Sequence, residues 1–203
     1  GNLFIVAMAG VTGNFERALL ESSKVLAVRG QILPSTLENV TLVAELRDEA
    51  TPGPSANPQW VEGESHIPAS GRPIERVFLQ PDAVPAYPGA LRAILDADLI
   101  VAGPGSLYTS ILPNLLVQDI VKAVQASRAK KVYICNVATQ PGETEGYTLG
   151  DHMAALHNHI GPNLFTNVLA NDAFAYALPD LPGVRWVPPD HPADAPYQVF
   201  TAD

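Results

Sequence analysis

The chain has 203 residues, which is the length of one domain or at most two small ones. Hydrophobic residues make up 47% and charged residues 16%, which excludes a chain that is disordered throughout, because disorder requires few apolar residues and high net charge. The chain has 12 Lys and Arg residues against 21 Asp and Glu residues, a net charge of −9 at pH 7. This acidic balance argues against nucleic acid as a partner, since phosphate backbones are bound by basic surfaces.

Cellular location is predicted from apolar runs and cysteine content. No apolar run reaches the roughly 18 to 20 residues of a membrane span, and no signal peptide is visible. The single cysteine, Cys135, lies in an apolar run and is expected to be buried and reduced. We therefore expect a cytoplasmic protein. The sequence opens with Gly1 inside an apolar run, so we also expect that an upstream part has been removed.

The first half of the chain predicts one helix and several short strands. Asn14 suits a helix cap, apolar residues recur after it at helical spacing, and Gly30 provides a stop. The face expected to be buried consists of Phe15, Ala18, Leu19, Ser22, Val25 and Leu26. Strands are predicted at 40–46, 60–64 and 74–79, with a Pro-rich surface loop at 47–58. These strands form a small β excursion around residues 40–80.

From residue 88 onward, helices and strands alternate. The predicted elements are a helix near 88–95, a buried strand at 98–102, a helix through 116–124, a strand at 131–135, a helix at 148–160 and strands at 166–170 and 197–203. This β-α-β-α-β order predicts a mostly parallel, Rossmann-like sheet. Ligands bind such sheets outside the carboxyl ends of the strands. The loops 103–114 and 136–147 leave from those ends.

The first of these loops has the features of an anion-binding turn. Its candidate phosphate-binding or ligand-binding residues are Gly103, Pro104, Gly105, Ser106, Thr109 and Ser110. Glycines let the backbone approach an anion, hydroxyls donate hydrogen bonds, and the N–H groups of a following helical turn favour negative charge. The spacing is not Walker A, and Tyr108 replaces the third glycine of the dinucleotide fingerprint. A plain strand-to-helix turn is the alternative.

The second loop carries amide and hydroxyl groups. Its candidate ligand-binding residues are Asn136, Thr139, Gln140, Gly146 and Tyr147. Such groups both donate and accept hydrogen bonds, which suits a sugar or a base edge. We interpret Glu143 and Glu145 as solvated loop charges, with metal binding or base chemistry as the alternative.

The remaining candidates are polar residues near the same edge. Asp151 stands three residues after Thr148 in a capping-box pattern, so it stabilises a helix N-terminus or contacts a ligand. Asn2 faces the cleft or caps a turn. His152, His157 and His159 do not have the spacing of four that a helical zinc pair requires. We therefore predict no metal site there and surface positions for His157 and His159.

Taken together, several segments resemble the YvcK family of gluconeogenesis factors, relatives of the 2-phospho-L-lactate transferase CofD of deazaflavin coenzyme synthesis. The segments are Gly103-Pro104-Gly105-Ser106-Leu107-Tyr108-Thr109-Ser110, the loop 136–147, Asp151-His152, Gly1-Asn2-Leu3, Ser23-Lys24-Val25-Leu26-Ala27-Val28-Arg29-Gly30 and Gly63-Glu64-Ser65-His66-Ile67-Pro68. The resemblance covers most of the chain, and the patterns at 108–110 and 139–144 are closer to YvcK than to CofD.

The resemblance implies a three-layer α/β/α fold, with residues 1–203 as a single domain that lacks the family's N-terminal glycine-rich segment and basic C-terminal tail. It implies a homodimer that binds a phosphate-bearing small molecule, a uridine nucleotide sugar such as UDP-N-acetylglucosamine. The implied role is in cell shape and growth on gluconeogenic carbon sources. For the CofD branch it implies magnesium-dependent transfer of a phospholactyl group.

Three functions follow as hypotheses. A regulatory nucleotide-sugar binder predicts binding without turnover. A CofD-type transferase predicts magnesium-dependent product, its phosphate charge stabilised by hydroxyl and amide groups near Gly105 and Ser106. A scaffold predicts polar loops with no ligand preference.

Overall fold

The computed structural model describes residues 2–25, 30–47, 59–175 and 177–202. The helices are α1 (Asn2–Thr12), α2 (Phe15–Val25), α3 (His66–Ala69), α4 (Pro88–Leu95), α5 (Leu112–Leu115), α6 (Gln118–Ala126) and α7 (Leu149–Ile160). The strands are β1 (Thr41–Leu46), β2 (Gln59–Glu62), β3 (Ile74–Gln80), β4 (Leu99–Ala102), β5 (Lys130–Ile134), β6 (Asn167–Asn171) and β7 (Gln198–Ala202). A π-helical segment, Leu107–Ile111, leads directly into α5.

The second half of the chain contains a four-stranded parallel sheet. Its strand order is β4-β5-β6-β7 and each neighbouring pair is parallel. The last residue of β4, Ala102, lies in register with Tyr133 of β5. The chain therefore leaves these two strands side by side, and the predicted mostly parallel α/β architecture is confirmed.

The predicted β excursion is a separate antiparallel sheet. Its strand order is β2-β1-β3, with Ala44 facing Val61 on one side and Val77 on the other. Leu42, Ala44, Val77 and Leu79 from β1 and β3 are buried in the common core. Each large apolar side chain fully buried in this way contributes about 1.5–3 kcal/mol. Residues 48–58 of the predicted Pro-rich loop lie outside the described residues.

Helix α2 begins as predicted but buries less of its surface. The Arg17 N–H donates to Asn14 Oδ1 at 2.9 Å, which is the expected cap. Ala18 and Ser22 are buried. The expected burial of Phe15 and Val25 is wrong, because both side chains are exposed. Leu26 lies outside the described residues.

Helix α1 was not predicted from the opening apolar run. It packs on α2, while Leu3, Val6 and Val11 are exposed. Packing on one partner helix leaves its other face uncovered. Within the described ranges, no single helix has the length and apolar composition of a membrane span, and α1 with α2 meets that test only as a pair bent by 119°.

Strand β4 differs from its prediction as a buried strand. Among the described strands it pairs with β5 alone. Leu99 and Val101, which share one face of the strand, are 55% and 46% exposed. Cys135, at the end of β5, is buried as predicted, and burial raises the pKa of its thiol to about 12.

Candidate functional site

The two predicted loops meet at the carboxyl ends of β4 and β5. The Gly105 N–H donates to Asn136 Oδ1 at 2.9 Å, and Asn136 Nδ2 donates to the Gly105 carbonyl at 2.9 Å. Gly103 has φ +86°, and a Cβ added there would lie 2.4 Å from the carbonyl oxygen of Ile134. The close approach of the two loops therefore requires glycine at position 103. The two hydrogen bonds of Asn136 to Gly105 hold the loops together.

The π-helical segment begins immediately after the glycine turn. The N–H groups of Ser110 and Ile111 both donate to the Ser106 carbonyl at 2.9 Å. The Ser106 hydroxyl makes no capping hydrogen bond. It is therefore a candidate donor to a ligand. Single π-helical turns occur frequently at functional sites.

A cleft of about 520 Å³ opens beside this turn. Its lining includes Gly103, Pro104, Gly105 and Ser110 of the predicted residues. The other lining residues are Gln31, Leu33, Ser35, Ala90, Ala93, Ile94, Ile100, Val101, Ala102, Ile111, Asn114, Leu115, Ile120, Val124 and Phe165. Within the described part of the chain, this lining contains no charged side chain. The lining is mostly aliphatic, and its hydrogen-bonding side chains, Gln31, Ser35, Ser110 and Asn114, are all uncharged.

Ser35 and Asn114 form a polar rim that the sequence did not reveal. The Ser35 hydroxyl donates to Asn114 Oδ1, and Asn114 Nδ2 donates to the Ser110 carbonyl at 2.7 Å. Ser35 lies 79 residues from Asn114 in the sequence, so no local pattern joins them.

The side chains of Thr139 and Gln140 are bonded within the protein, and neither lines the cleft. Thr139 is buried, its hydroxyl donates to the Gly183 carbonyl at 2.7 Å, and it accepts from the Arg185 N–H at 2.9 Å. Gln140 Nε2 donates to Glu143 at 3.1 Å. The Thr139 hydroxyl proton is therefore already used within the fold, and a ligand contact by Thr139 stays a prediction.

Glu143 is buried, so its interpretation as a solvated charge is wrong. The residue is only 4% exposed to solvent. The carboxylate accepts from the Tyr108 N–H at 3.1 Å and from the Thr109 hydroxyl at 2.7 Å. These donors solvate the charge in place of water. Glu145 is exposed, as predicted.

Tyr147 contacts Tyr108 at the end of the second loop. Their hydroxyl oxygens are 2.8 Å apart. Burial raises the pKa of both phenols, so both stay neutral at ordinary pH. Gly146, next to Tyr147, is exposed with φ +75°. Neither Tyr147 nor Gly146 is among the residues that line the cleft.

Asp151 forms the predicted capping box of α7. Its Oδ2 accepts from the Thr148 N–H at 2.8 Å, and its own N–H donates to the Thr148 hydroxyl at 3.2 Å. The side chain is otherwise exposed, so a ligand contact stays a prediction. Asn2 is the first residue of α1, and its side chain lies outside the described part.

The histidines of α7 are more buried than predicted. His152 is fully buried, with Nδ1 2.9 Å from the Thr148 carbonyl. His159, like His157, is half-buried rather than fully at the surface. Its Nε2 accepts from the Val77 N–H at 2.9 Å, and its Nδ1 lies 2.6 Å from the Ala155 carbonyl. His159 therefore links α7 to β3, and His157 is half-exposed.

The described carboxylates and imidazoles do not form a magnesium site. Over residues 2–25, 30–47, 59–175 and 177–202, no group of three or more His, Cys, Asp or Glu side chains converges. Glu143, the buried carboxylate nearest the turn, is already bonded to three donors. These side chains alone do not fit the ion.

Neighbouring parallel strands that alternate with helices define an α/β domain with a Rossmann-like sheet. The chain belongs to the CofD family: the family model described as 2-phospho-L-lactate transferase CofD matches residues 1–178. It is 50% identical over 171 residues to the gluconeogenesis factor of Bacillus subtilis, covering 84% of this chain and 51% of that protein. It is 47% identical over 171 residues to that of Halalkalibacterium halodurans, covering 84% and 50%. The resemblance to the YvcK family is confirmed.

Solved structures are similar over most of the chain. A crystal structure of a UPF0052 family member from Bacillus halodurans matches with a TM-score of 0.74 at 46% identity, covering 85% of this chain and 53% of that chain. A second crystal structure of a Bacillus halodurans protein has a TM-score of 0.78 at 42% identity, covering 93% and 59%. The three-layer α/β fold is confirmed. The chain spans about half the length of these relatives.

Proposed function

We propose that this chain is the ligand-binding part of a YvcK-type regulatory protein that binds a nucleotide sugar of the UDP-N-acetylglucosamine kind. The proposed role is in cell shape and growth on gluconeogenic carbon sources. The observation that carries the proposal is the uncharged cleft of about 520 Å³ beside the glycine turn. Support also comes from two relatives that carry the name gluconeogenesis factor.

The two parts of such a ligand match two parts of the site. The sugar or base lies in the cleft, where hydroxyl and amide groups at its rim provide hydrogen bonds. The phosphate lies at the turn, against backbone N–H groups and the hydroxyl of Ser106. Asn136 serves this site by holding Gly105 rather than by touching the ligand.

Calorimetric titration with UDP-N-acetylglucosamine tests the proposal, with and without magnesium. It compares this chain with a version extended at both ends to the length of its relatives. Saturable binding by the extended protein with no product is the expected result. If neither protein binds at millimolar ligand, the nucleotide-sugar proposal is wrong.

The second candidate is a CofD-type transferase that moves a 2-phospho-L-lactate group to a deazaflavin acceptor. The description of the matching family model favours it. Magnesium-dependent product from the extended protein would support it over the regulator. If the extended protein shows neither ligand binding nor product formation, the scaffold hypothesis is the one that remains.

We also infer a homodimer in the cytoplasm. The resemblance to YvcK proteins is the support for both inferences. Sedimentation equilibrium of the extended protein tests the dimer, and a monomer at all concentrations contradicts it.

A further inference from the structure

Glu143 is a buried carboxylate whose charge is balanced by neutral donors. It takes part in no salt bridge among the described residues. Its Oε1 accepts from the Thr109 hydroxyl at 2.7 Å and from Gln140 Nε2 at 3.1 Å. Its Oε2 accepts from the Tyr108 N–H at 3.1 Å. Hydrogen bonds to a charged group are stronger than those between neutral groups.

The loop that carries Glu143 is held rigidly on its other side. The Gln140 N–H donates to the Thr144 hydroxyl at 2.9 Å, and the Thr144 N–H donates back to the Gln140 carbonyl at 2.9 Å. Gly142 has φ +76°, and a Cβ added there would lie 2.1 Å from the Pro68 carbonyl oxygen. The Glu143 carboxylate is therefore held between helix α3, which contains Pro68, and the π-helical segment.

Tyr108 and Thr109 belong to the first turn of the π-helical segment, two and three residues after Ser106. The N-terminus of a helix is where an anion binds. Glu143 occupies the Tyr108 N–H and Asn136 occupies the Gly105 N–H, so a ligand phosphate is left with the position between them, at Ser106. The internal carboxylate thus decides which groups of the turn remain open to the ligand.

We propose that Glu143 is a positioning residue that fixes the first turn of the π-helical segment and so sets the geometry of Ser106 for ligand binding. The inference rests on the proposed function for its ligand. It does not depend on the identity of the sugar. Its structural part is independent of any ligand, because it concerns the order of residues 106–111.

Glu143→Gln tests the proposal, with Glu145→Gln as the matched control. Both remove one negative charge from the same loop, but Glu145 is exposed. The affinity for UDP-N-acetylglucosamine is measured by calorimetry well below each melting temperature. Amide hydrogen exchange over 106–111 is measured without ligand. We expect Glu143→Gln to lower the affinity by about tenfold to a hundredfold and to speed exchange in this segment by about tenfold. Glu145→Gln leaves both unchanged.

The outcomes separate the two proposals. Unchanged affinity and unchanged exchange in Glu143→Gln overturn the positioning role, even if the melting temperature falls. If the parent protein does not bind, the proposed function fails, and the exchange rates alone decide whether Glu143 orders the turn. If Glu143→Gln does not fold, Thr109→Val decides: it removes one donor and keeps the carboxylate. Affinity and exchange equal to those of the parent then overturn the role.

Discussion

Ser106 is the residue at which the turn and the proposed phosphate meet. It lies between Gly105, whose backbone is bonded at both polar groups to Asn136, and Tyr108, whose N–H is bonded to Glu143. Its own hydroxyl makes no capping hydrogen bond. A side chain placed by its neighbours and not used by them is available to a ligand.

We expect Ser106→Ala to weaken UDP-N-acetylglucosamine binding more than folding. Loss of a hydrogen bond to a charged group costs about 1.5–3 kcal/mol. Calorimetry gives the affinity and urea unfolding gives the stability. His157→Ala is the control, because His157 lies on α7 against Tyr197 and takes no part in the glycine turn. Equal affinity of Ser106→Ala and the parent would contradict the site.

His159 makes stability depend on pH. Its Nε2 accepts a hydrogen bond from Val77, so the folded protein requires the neutral ring with the proton on Nδ1. Burial, and to a lesser degree Arg76, lower its pKa. The unfolded chain therefore takes up a proton first. The contribution is complete above the unfolded pKa of about 6.5 and is lost as pH falls through the lower folded value.

We accordingly expect the free energy of unfolding to decrease from neutral pH toward mildly acidic pH, and His159→Gln to reduce this slope. Glutamine has an oxygen near the position of Nε2 but does not titrate. Chemical unfolding at several pH values measures the slope. The exposed His191 provides a control in His191→Gln, which should retain the slope of the parent. Burial also lowers the pKa of His152 and His157, so part of the slope remains.

The first residue of helix α7 is determined by capping side chains as well as by the apolar face of the helix. The Thr148 hydroxyl accepts from the Asp151 N–H, and Asp151 accepts from the Thr148 N–H. The helix then carries Leu149, Met153 and Leu156 into the core. The capping box thus fixes where the second loop ends.

Thr148→Ala is expected to lower the free energy of unfolding by about 0.5–2 kcal/mol, since it leaves helix N–H groups without an acceptor. Urea unfolding measures the loss. Asn158→Ala, at an exposed site within the same helix, should cost nothing, because Ala is the better helix former. A stability loss in the control equal to that in Thr148→Ala would refute the capping argument.

Elements were predictable where the signal was local. The cap at Asn14, the box at Thr148 and Asp151, and the alternation of strands with helices all depend on short spacings. The role of Thr139 depends on residues 183–185, and that of Glu143 on residues 108–109. These partners meet only in the folded chain, so sequence spacing could name the loop but not distinguish side chains that hold it from side chains that face a ligand.

At the scale of the whole molecule, two of the exposed apolar surfaces among the described residues bear on association. These are strand β4, with Leu99 and Val101, and helix α1, with Leu3 and Val11. Because β4 has only β5 beside it among the described strands, its unpaired backbone groups and apolar side chains favour association.

We therefore expect the 203-residue chain to self-associate with increasing concentration, and the double variant Leu99→Lys, Val101→Lys to reduce this. Charged side chains on an edge strand oppose pairing with another chain. Analytical ultracentrifugation over a concentration series measures the effect. Val137→Lys, at an exposed loop position, is the control. Association that both variants leave unchanged would place the contact elsewhere.

The pair of hydrogen bonds between Asn136 and Gly105 also has a kinetic consequence. Two loops that are already joined have little chain left to order when a ligand arrives, so the site is preorganised. Two ligands that differ in one polar group should then have similar association rates, because no loop has to close around either of them. Their dissociation rates should differ. Selectivity at this edge of the sheet would be expressed as residence time.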